Sequence, residues 1–189
     1  FETLANYGPD ATRWYMISNA NPWDNLKFDV DGIDEVKRKF FGTLYNTYAF
    51  FTLYANIDRF NNSEPAIPHD QRPEIDRWIL SELHTLIEKV DTHYANYEPT
   101  KAAREISEFT QELLSNWYVR LSRRRFWKGA YEADKISAYQ TLFTCMLTLS
   151  KLGAPIAPFF MDRLYLDLVT TTKLEPYYSV HLSEFPNSN

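Results

Sequence analysis

The sequence predicts an all-α fold, an up-down helical bundle with a small N-terminal connecting module. Apolar residues recur every three to four positions through most of the chain, which is the period of an amphipathic α-helix. Only five glycines occur among 189 residues, whereas a β-rich chain needs many glycine-containing turns. Short polar connections rich in proline, glycine and asparagine separate the periodic stretches, as between antiparallel helices of a bundle.

The N-terminal third is divided by Gly8-Pro9 and by one polar connection. Proline at the first helical position favours a helix that starts at Pro9 and includes DATRWYMIS. Residues 19–32 are polar and contain proline and glycine, so we expect a loop. A long helix is then expected from Ile33 to about Ile57, because apolar side chains recur along one face. These limits predict a connecting segment over residues 1–32 and a helical bundle over residues 33–189.

The remaining helices are expected between connections that contain proline or glycine. Pro73 and Pro99 each precede or open a periodic stretch, and Gly129 ends one. In the stretch after Pro99, Ile106, Phe109 and Leu113 are expected to face the core, within an apolar stripe that also includes Ala102 and Leu114. The tail over residues 173–189 is short and aromatic, and we expect it to pack as an extended strap. The expected helices cover residues 74–95, 99–128, 134–152 and 159–169.

The bulk composition limits the classes of function. A formal net charge of −5 does not exclude a nucleic-acid partner, because salt screens charges beyond about 8–10 Å and only the local field acts at an interface. The single cysteine, Cys145, excludes an internal disulfide framework and favours a reducing, cytoplasmic location. No run of about 18 apolar residues is present, so no membrane span is expected. The chain has no initiator Met, and we expect a monomeric piece of a longer protein.

Sequence motifs for catalysis, phosphate binding and metal binding are absent. Neither a GxxxxGK[ST] nor a GxGxxG loop occurs, and no serine lies in a nucleophile elbow. The four histidines have no cysteine or carboxylate partners at the spacing of metal ligands: His69, His84, His93 and His181. We therefore expect no catalytic residue, no metal and no cofactor in this chain.

Residues 116–128, NWYVRLSRRRFWK, hold five cations and four aromatic residues without one acid. Guanidinium groups bind phosphates through paired hydrogen bonds, indoles stack on unpaired bases, and asparagine reads base edges. The pattern therefore predicts a surface for an RNA loop, while Val119 and Phe126 fall on the buried side. At 100° per residue, seven residues fall within an arc of about 140° and form the basic–aromatic face: Asn116, Trp117, Arg120, Arg123, Arg124, Trp127 and Lys128.

Two other interpretations stay open on the residues alone. Charge runs commonly mark solvated helix faces, in which case the arginines would pair with acids such as Glu105, Glu108 and Glu112 and the indoles would be half-buried. Alternatively, the chain is a helical protein–protein adaptor, since Trp and Arg are enriched at interface hot spots. Salt separates these classes, because phosphate contacts weaken steeply as the salt concentration rises, whereas a buried aromatic interface responds weakly.

Motifs along nearly the whole chain resemble the C-terminal half of class I aminoacyl-tRNA synthetases of the isoleucine/valine/leucine group. The segment LLSNWYVRLSRRRFW (113–127) resembles the isoleucyl branch in particular. The segment YGPDATRWYMIS (7–18) is similar to the one that follows the catalytic KMSKS loop of the group. The other matching segments are PWDNLKFDVDGIDEVKRKFFGTLYNTYAFFTLYAN (22–56), DRWILSEL (76–83), LGAPIAPFFMDRLY (152–165) and SVHLSEFP (179–186).

The resemblance implies an anticodon-binding helical domain that binds the anticodon arm of an isoleucine tRNA, with the basic–aromatic face as a contributor. It also implies a parent enzyme that attaches isoleucine to its tRNA with ATP. The HIGH and KMSKS signatures, the Rossmann fold and the editing domain of the group are absent here, so this chain alone should be inactive and ATP would bind elsewhere in the parent. The alternative within the group is the corresponding domain of a valyl or leucyl enzyme.

Overall fold

The computed structural model describes residues 2–188, and this range is all-α, with helices joined by short connections and no strand. The predicted fold class is confirmed. The α-helices of the described range are α1 (Glu2–Tyr7), α2 (Pro9–Asn19), α3 (Val30–Val36), α4 (Gly42–Asp58), α5 (Glu74–Ala95), α6 (Pro99–Glu108), α7 (Arg120–Trp127), α8 (Ala133–Gly153) and α9 (Pro158–Thr172).

Two π-helical segments each join two α-helices into one long continuous helix. The first π segment, Lys37–Phe41, joins α3 to α4, and the second π segment, Phe109–Val119, joins α6 to α7. The helix expected from Ile33 therefore begins three residues earlier, at Val30, where the carboxylate of Asp29 accepts a hydrogen bond from the backbone N–H of Asp31. This carboxylate satisfies one of the N–H groups that the first turn of a helix leaves free.

The N-terminal module begins with α1, a helix that the sequence did not predict. Gly8 separates α1 from α2 because its backbone has φ of 83°, a conformation that side chains other than glycine rarely adopt. Pro9 then occupies the first position of α2, as expected.

Helix α8 lies at the centre of the bundle. It packs against α4, α5, α7 and α9, and its large side chains Tyr139, Leu142, Met146 and Leu149 are completely buried. Cys145 is also buried, and burial raises the pKa of its thiol well above the ordinary value. The aromatic and aliphatic side chains of α8 are thus the core on which the other helices pack.

The tail after α9 is held by two carboxylates. Asp162 on α9 accepts hydrogen bonds from the hydroxyl of Ser179 and the backbone N–H of Val180, each at 2.8 Å. Glu175 in the tail accepts from the hydroxyl of Tyr165 at 2.7 Å. Val180 is buried, so the tail packs on the bundle as the extended strap expected from its sequence, apart from one short 3-10 turn, Val180–Leu182.

Helix α2 is tied to the bundle by Asp10, which caps a helix far along the chain. Helix α9 begins at Pro158, and the residue before it, Ala157, has no side chain that can cap the free N–H groups. The carboxylate of Asp10 accepts a hydrogen bond from the backbone N–H of Phe160 at 2.6 Å, so the N-cap comes from α2 instead.

We expect Asp10→Ala to lower the free energy of unfolding by about 0.5–2 kcal/mol, because loss of an N-cap acceptor has this range. Asp10→Asn is the matched control, since its amide oxygen keeps the acceptor. Thermal denaturation followed by circular dichroism measures both changes. An alanine variant as stable as the unmutated chain would mean that the cap that Asp10 provides to α9 contributes nothing to stability.

Candidate nucleic-acid interface

The basic–aromatic face lies on the last turn of the second π segment, on α7 and just beyond it. Trp117 is 58% exposed and Trp127 is 51% exposed, so about half or more of each indole faces the solvent. The five other residues of the face, Asn116, Arg120, Arg123, Arg124 and Lys128, are also exposed. The expected outward orientation of the cations and indoles is therefore present in the structure.

The opposite side of the same helix anchors it to the bundle. Val119, Ser122 and Phe126 are buried, and the ring of Phe126 lies 5.1 Å from that of Phe50 on α4 and 5.0 Å from that of Tyr139 on α8. Edge-to-face aromatic pairs at these distances stabilise packing. The predicted inward positions of Val119 and Phe126 are thus correct, and they turn the basic–aromatic face to the solvent.

Arg125 is the exception among the five cations, because it points inward. Its Nη1 and Nη2 atoms donate to the two carboxylate oxygens of Asp76 at 2.6 and 2.8 Å. Asp76 is completely buried, and the Arg125 side chain is only 15% exposed. Arg125 also contacts the exposed carboxylate of Asp134 at the start of α8. Arg125 is one of the five cations of residues 116–128, but it is not among the seven residues of the predicted basic–aromatic face.

Two hydroxyl groups complete the surroundings of the buried carboxylate. Tyr118 donates to one oxygen of Asp76 at 2.8 Å, and Ser137 donates to the other at 2.5 Å. Burial and the negative charge of Asp76 raise the pKa of Tyr118 well above its ordinary value, so its phenol stays protonated and donates. Burial acts to lower the pKa of Arg125, but the hydrogen bonds that Arg125 donates to Asp76 outweigh burial, so the pKa lies above its ordinary value.

The outward cations have no acidic partner within residues 2–188. No ion pair in this range includes Arg120, Arg123, Arg124 or Lys128. Of the acids considered as partners, Glu105 pairs with Lys89 on α5, and Glu112 accepts a hydrogen bond from Nδ2 of Asn116 at 3.1 Å. Four positive charges are therefore available to an anionic ligand.

The second π segment is a feature that a helical wheel with 3.6 residues per turn does not describe. Its last turn closes where the backbone N–H of Arg120 donates to the carbonyl of Ser115, five residues earlier. Around the start of the segment, Ser107, Thr110 and Gln111 each donate a side-chain hydrogen bond to the carbonyl four residues earlier. Such bonds compete with the backbone N–H groups for these carbonyls, but they also occur at Thr85 and Thr144 in regular α-helices, so they do not predict the wider turn.

Neither a metal site nor a membrane-spanning helix is found among residues 2–188. Among residues 2–188, no group of three or more His, Cys, Asp or Glu side chains is arranged to hold a metal ion. No helix in this range has the length and apolar character needed to cross a membrane.

Comparison with known proteins identifies the family. Residues 76–189 match the family model described as the anticodon-binding domain of tRNA ligase. The chain is 63% identical over all of its 189 residues to an isoleucine–tRNA ligase of Bacteroides fragilis, of which it covers 17%. It is 66% identical over 186 residues, 98% of the chain, to an isoleucine–tRNA ligase of Porphyromonas gingivalis, of which it covers 16%. The chain thus spans about one sixth of the length of these relatives.

A solved structure has the same fold. The whole chain superposes on 20% of a LeuRS from Agrobacterium radiobacter K84, solved in a ternary complex with tRNA and LeuAMS, with a TM-score of 0.69 and 20% sequence identity. At this identity the likeness concerns the helical architecture. The family model covers more than half of the sequence, and the chain therefore belongs to the anticodon-binding domain family of tRNA ligases.

Proposed function

We propose that this chain is the tRNA-binding module of an isoleucine–tRNA ligase and that its basic–aromatic face binds the anticodon arm of an isoleucine tRNA. The observation that carries the proposal is the set of four exposed cations without acidic partners beside two exposed indoles, on one helix of an acidic protein. Relatives at 63–66% identity, each named isoleucine–tRNA ligase, favour the isoleucyl branch.

The cations of the face supply affinity in this proposal. Arg120, Arg123, Arg124 and Lys128 would contact phosphates of the tRNA backbone, which position a protein on a nucleic acid without reading its sequence. Each phosphate contact releases condensed counterions, so binding weakens in proportion to the logarithm of the salt concentration. The rest of the chain is net acidic, so its surface attracts phosphates less, on average, than this helix does.

The indoles and the amide supply discrimination. Trp117 and Trp127 would stack on bases that are splayed out of the anticodon loop, a contact worth about 1–3 kcal/mol per base. Asn116 donates Nδ2 to Glu112, so its side-chain oxygen is turned away from Glu112 and is available to accept a hydrogen bond from a base.

The attachment of isoleucine belongs to the rest of the parent enzyme in this proposal. The chain corresponds to about one sixth of its relatives, and the ATP-dependent steps would take place in the remaining part. We propose that the domain works in the cytoplasm, as a monomer, and is inactive as a ligase on its own.

Binding titrations at several salt concentrations test both contributions, the affinity supplied by the cations and the discrimination supplied by the indoles. Arg124→Ala is expected to weaken all tRNAs alike and to flatten the slope of log K against log[salt] by nearly one unit. Trp127→Ala is expected to leave the slope unchanged and to shrink the preference for isoleucine tRNA over a variant with an exchanged anticodon. Valine and leucine tRNAs, used as additional ligands, separate the isoleucyl from the valyl and leucyl alternatives.

Matched controls lie on other elements of the chain. Arg163 on α9 is highly exposed, and Trp23 is 69% exposed in the connection between α2 and α3. Arg163→Ala and Trp23→Ala should leave affinity, slope and preference unchanged. If Arg124→Ala alters neither the affinity nor the slope, the cations are a solvated helix face; if binding is insensitive to salt, the adaptor interpretation is favoured.

A further inference from the structure

Besides the packing of Val119 and Phe126, one buried carboxylate attaches the helix of the basic–aromatic face to the bundle. Asp76, near the start of α5, receives hydrogen bonds from three other elements: the second π segment through Tyr118, α7 through Arg125, and α8 through Ser137. The Asp76 side chain is completely buried, and donors from all three elements surround it. No residue of the basic–aromatic face takes part in this cluster.

The geometry of Arg125 fixes the rotation of α7 about its axis. Two parallel hydrogen bonds between a planar guanidinium and a carboxylate allow only a narrow range of orientations. In an α-helix each residue turns by about 100° relative to the last. An inward Arg125 therefore directs its neighbour Arg124 to the solvent, and Arg120 and Trp127 follow on the same side.

Arg125 also donates hydrogen bonds to the carboxylate of Asp134 and, at 2.8 Å, to its backbone carbonyl. Asp134 meets the same guanidinium at 3.0 Å, but its side chain is 61% exposed, and exposed ion pairs contribute little to stability. Asp76, by contrast, is buried and accepts two bonds from Arg125 at 2.6 and 2.8 Å.

We propose that Asp76 is the positioning residue of the nucleic-acid interface: through Arg125 and Tyr118 its carboxylate holds α7 in the rotation that presents the outward cations and Trp127 to tRNA. This inference rests on the proposed function for its ligand, although the effect on α7 itself does not. Asp76 touches no ligand in this proposal and acts only through the helix.

The test compares two carboxylate variants of the 189-residue chain, Asp76→Asn at the buried position and Asp58→Asn at a partly buried one. Asp58 is a matched control because it accepts hydrogen bonds from Lys135 at 2.8 Å and Tyr139 at 2.6 Å and joins α4 to α8 without contacting α7. Asparagine at position 76 directs an amide N–H₂ at a guanidinium that needs acceptors, so the pair cannot form as before.

Two readouts separate positioning from general stability. Hydrogen exchange of the peptide that contains α7 should become at least about tenfold faster in Asp76→Asn and stay unchanged in Asp58→Asn, since local opening sets exchange rates. Below the melting temperature of both variants, tRNA affinity should fall about tenfold in Asp76→Asn alone. The salt slope should flatten by about one unit for each phosphate contact that is lost.

The outcomes distinguish this inference from the proposed function. If the unmutated chain binds tRNA and Asp76→Asn binds it with the same affinity and the same salt dependence, the positioning role is wrong while the proposed function stands. If the parent protein binds no tRNA, the proposed function fails, and unchanged exchange in α7 would overturn the positioning role independently.

If Asp76→Asn does not fold, variants that each remove only one hydrogen bond to Asp76 test the same proposal. Tyr118→Phe and Ser137→Ala each remove a single donor to Asp76. Each is expected to raise hydrogen exchange in α7 and to lower tRNA affinity by a few-fold. Normal exchange and affinity in both variants would contradict the proposal.

Discussion

Arg125→Ala is expected to lower the free energy of unfolding by about 3–5 kcal/mol, whereas Arg124→Ala changes it by less than about 0.5 kcal/mol. The two arginines are adjacent in the sequence, but Arg125 is paired with the buried Asp76 while Arg124 is exposed. Without Arg125, the carboxylate of Asp76 would remain buried with only two hydroxyl donors, Tyr118 and Ser137. An uncompensated buried charge is far more costly than a lost surface contact.

Urea denaturation of both variants measures this difference, and tRNA titration supplies the complementary result. Arg124→Ala should keep its stability and lose affinity, while Arg125→Ala should lose stability and, because α7 is no longer held by Asp76, affinity as well. Arg125→Lys is an intermediate control, because it keeps the charge but forfeits the two-pronged contact with Asp76. Equal destabilisation by the two alanine variants would mean that α7 is rotated relative to the orientation described here.

Hydrophobic periodicity predicted the long helices closely because their buried faces follow the regular period of 3.6 residues. The helix expected over residues 134–152 is observed as Ala133–Gly153, and the one expected over 74–95 as Glu74–Ala95. Helix α1 was missed for a physical reason: none of its residues is buried, so it carries no apolar stripe that a periodicity can reveal.

The second π segment shows where a fixed period fails. Ile106 and Phe109 face the core as expected, but Leu113 is only partly buried whereas Leu114 is completely buried. From Phe109 onward the buried positions are separated by four to five residues, through Leu114 to Tyr118 and Val119. This longer spacing fits the wider turn of a π-helix, and it is visible in the sequence only once the buried residues are known.

The exposed residues of the interface could be predicted from the sequence, whereas the buried contacts that hold its helix in place could not. A run of cations and indoles without acids shows which residues favour the solvent or an anionic ligand, and the exposure of all seven residues agrees with that expectation. The role of Asp76 depends on a pairing across 49 residues of sequence. In the sequence Asp76 is one of 25 acidic residues, and the apolar period of its helix does not reveal that its carboxylate is buried.

Trp14→Ala is the second large effect we expect, with a loss of about 3–5 kcal/mol in the free energy of unfolding. Trp14 is 1% exposed. Its ring stacks on Phe40 at 4.2 Å and meets the edge of Phe41 at 5.9 Å. Truncation to alanine leaves a large cavity between α2 and the first π segment, because the helices on either side cannot collapse into it fully. Chemical denaturation measures the change, and Trp23→Ala, at a 69% exposed indole, should stay within about 0.5 kcal/mol.

Trp14 also braces the helix that carries the basic–aromatic face. Its Nε1 donates to the hydroxyl of Ser107 at 3.0 Å, two residues before the second π segment begins. Trp14→Phe keeps an aromatic ring but loses this donor, so we expect a smaller loss that includes about 1 kcal/mol for the hydrogen bond. Because the ring and its donor join residues 1–32 to the core, helix content and tryptophan fluorescence should report one common transition in the parent protein and in both variants. Two separated transitions would show that the N-terminal module unfolds independently, and would contradict the coupling that these contacts imply.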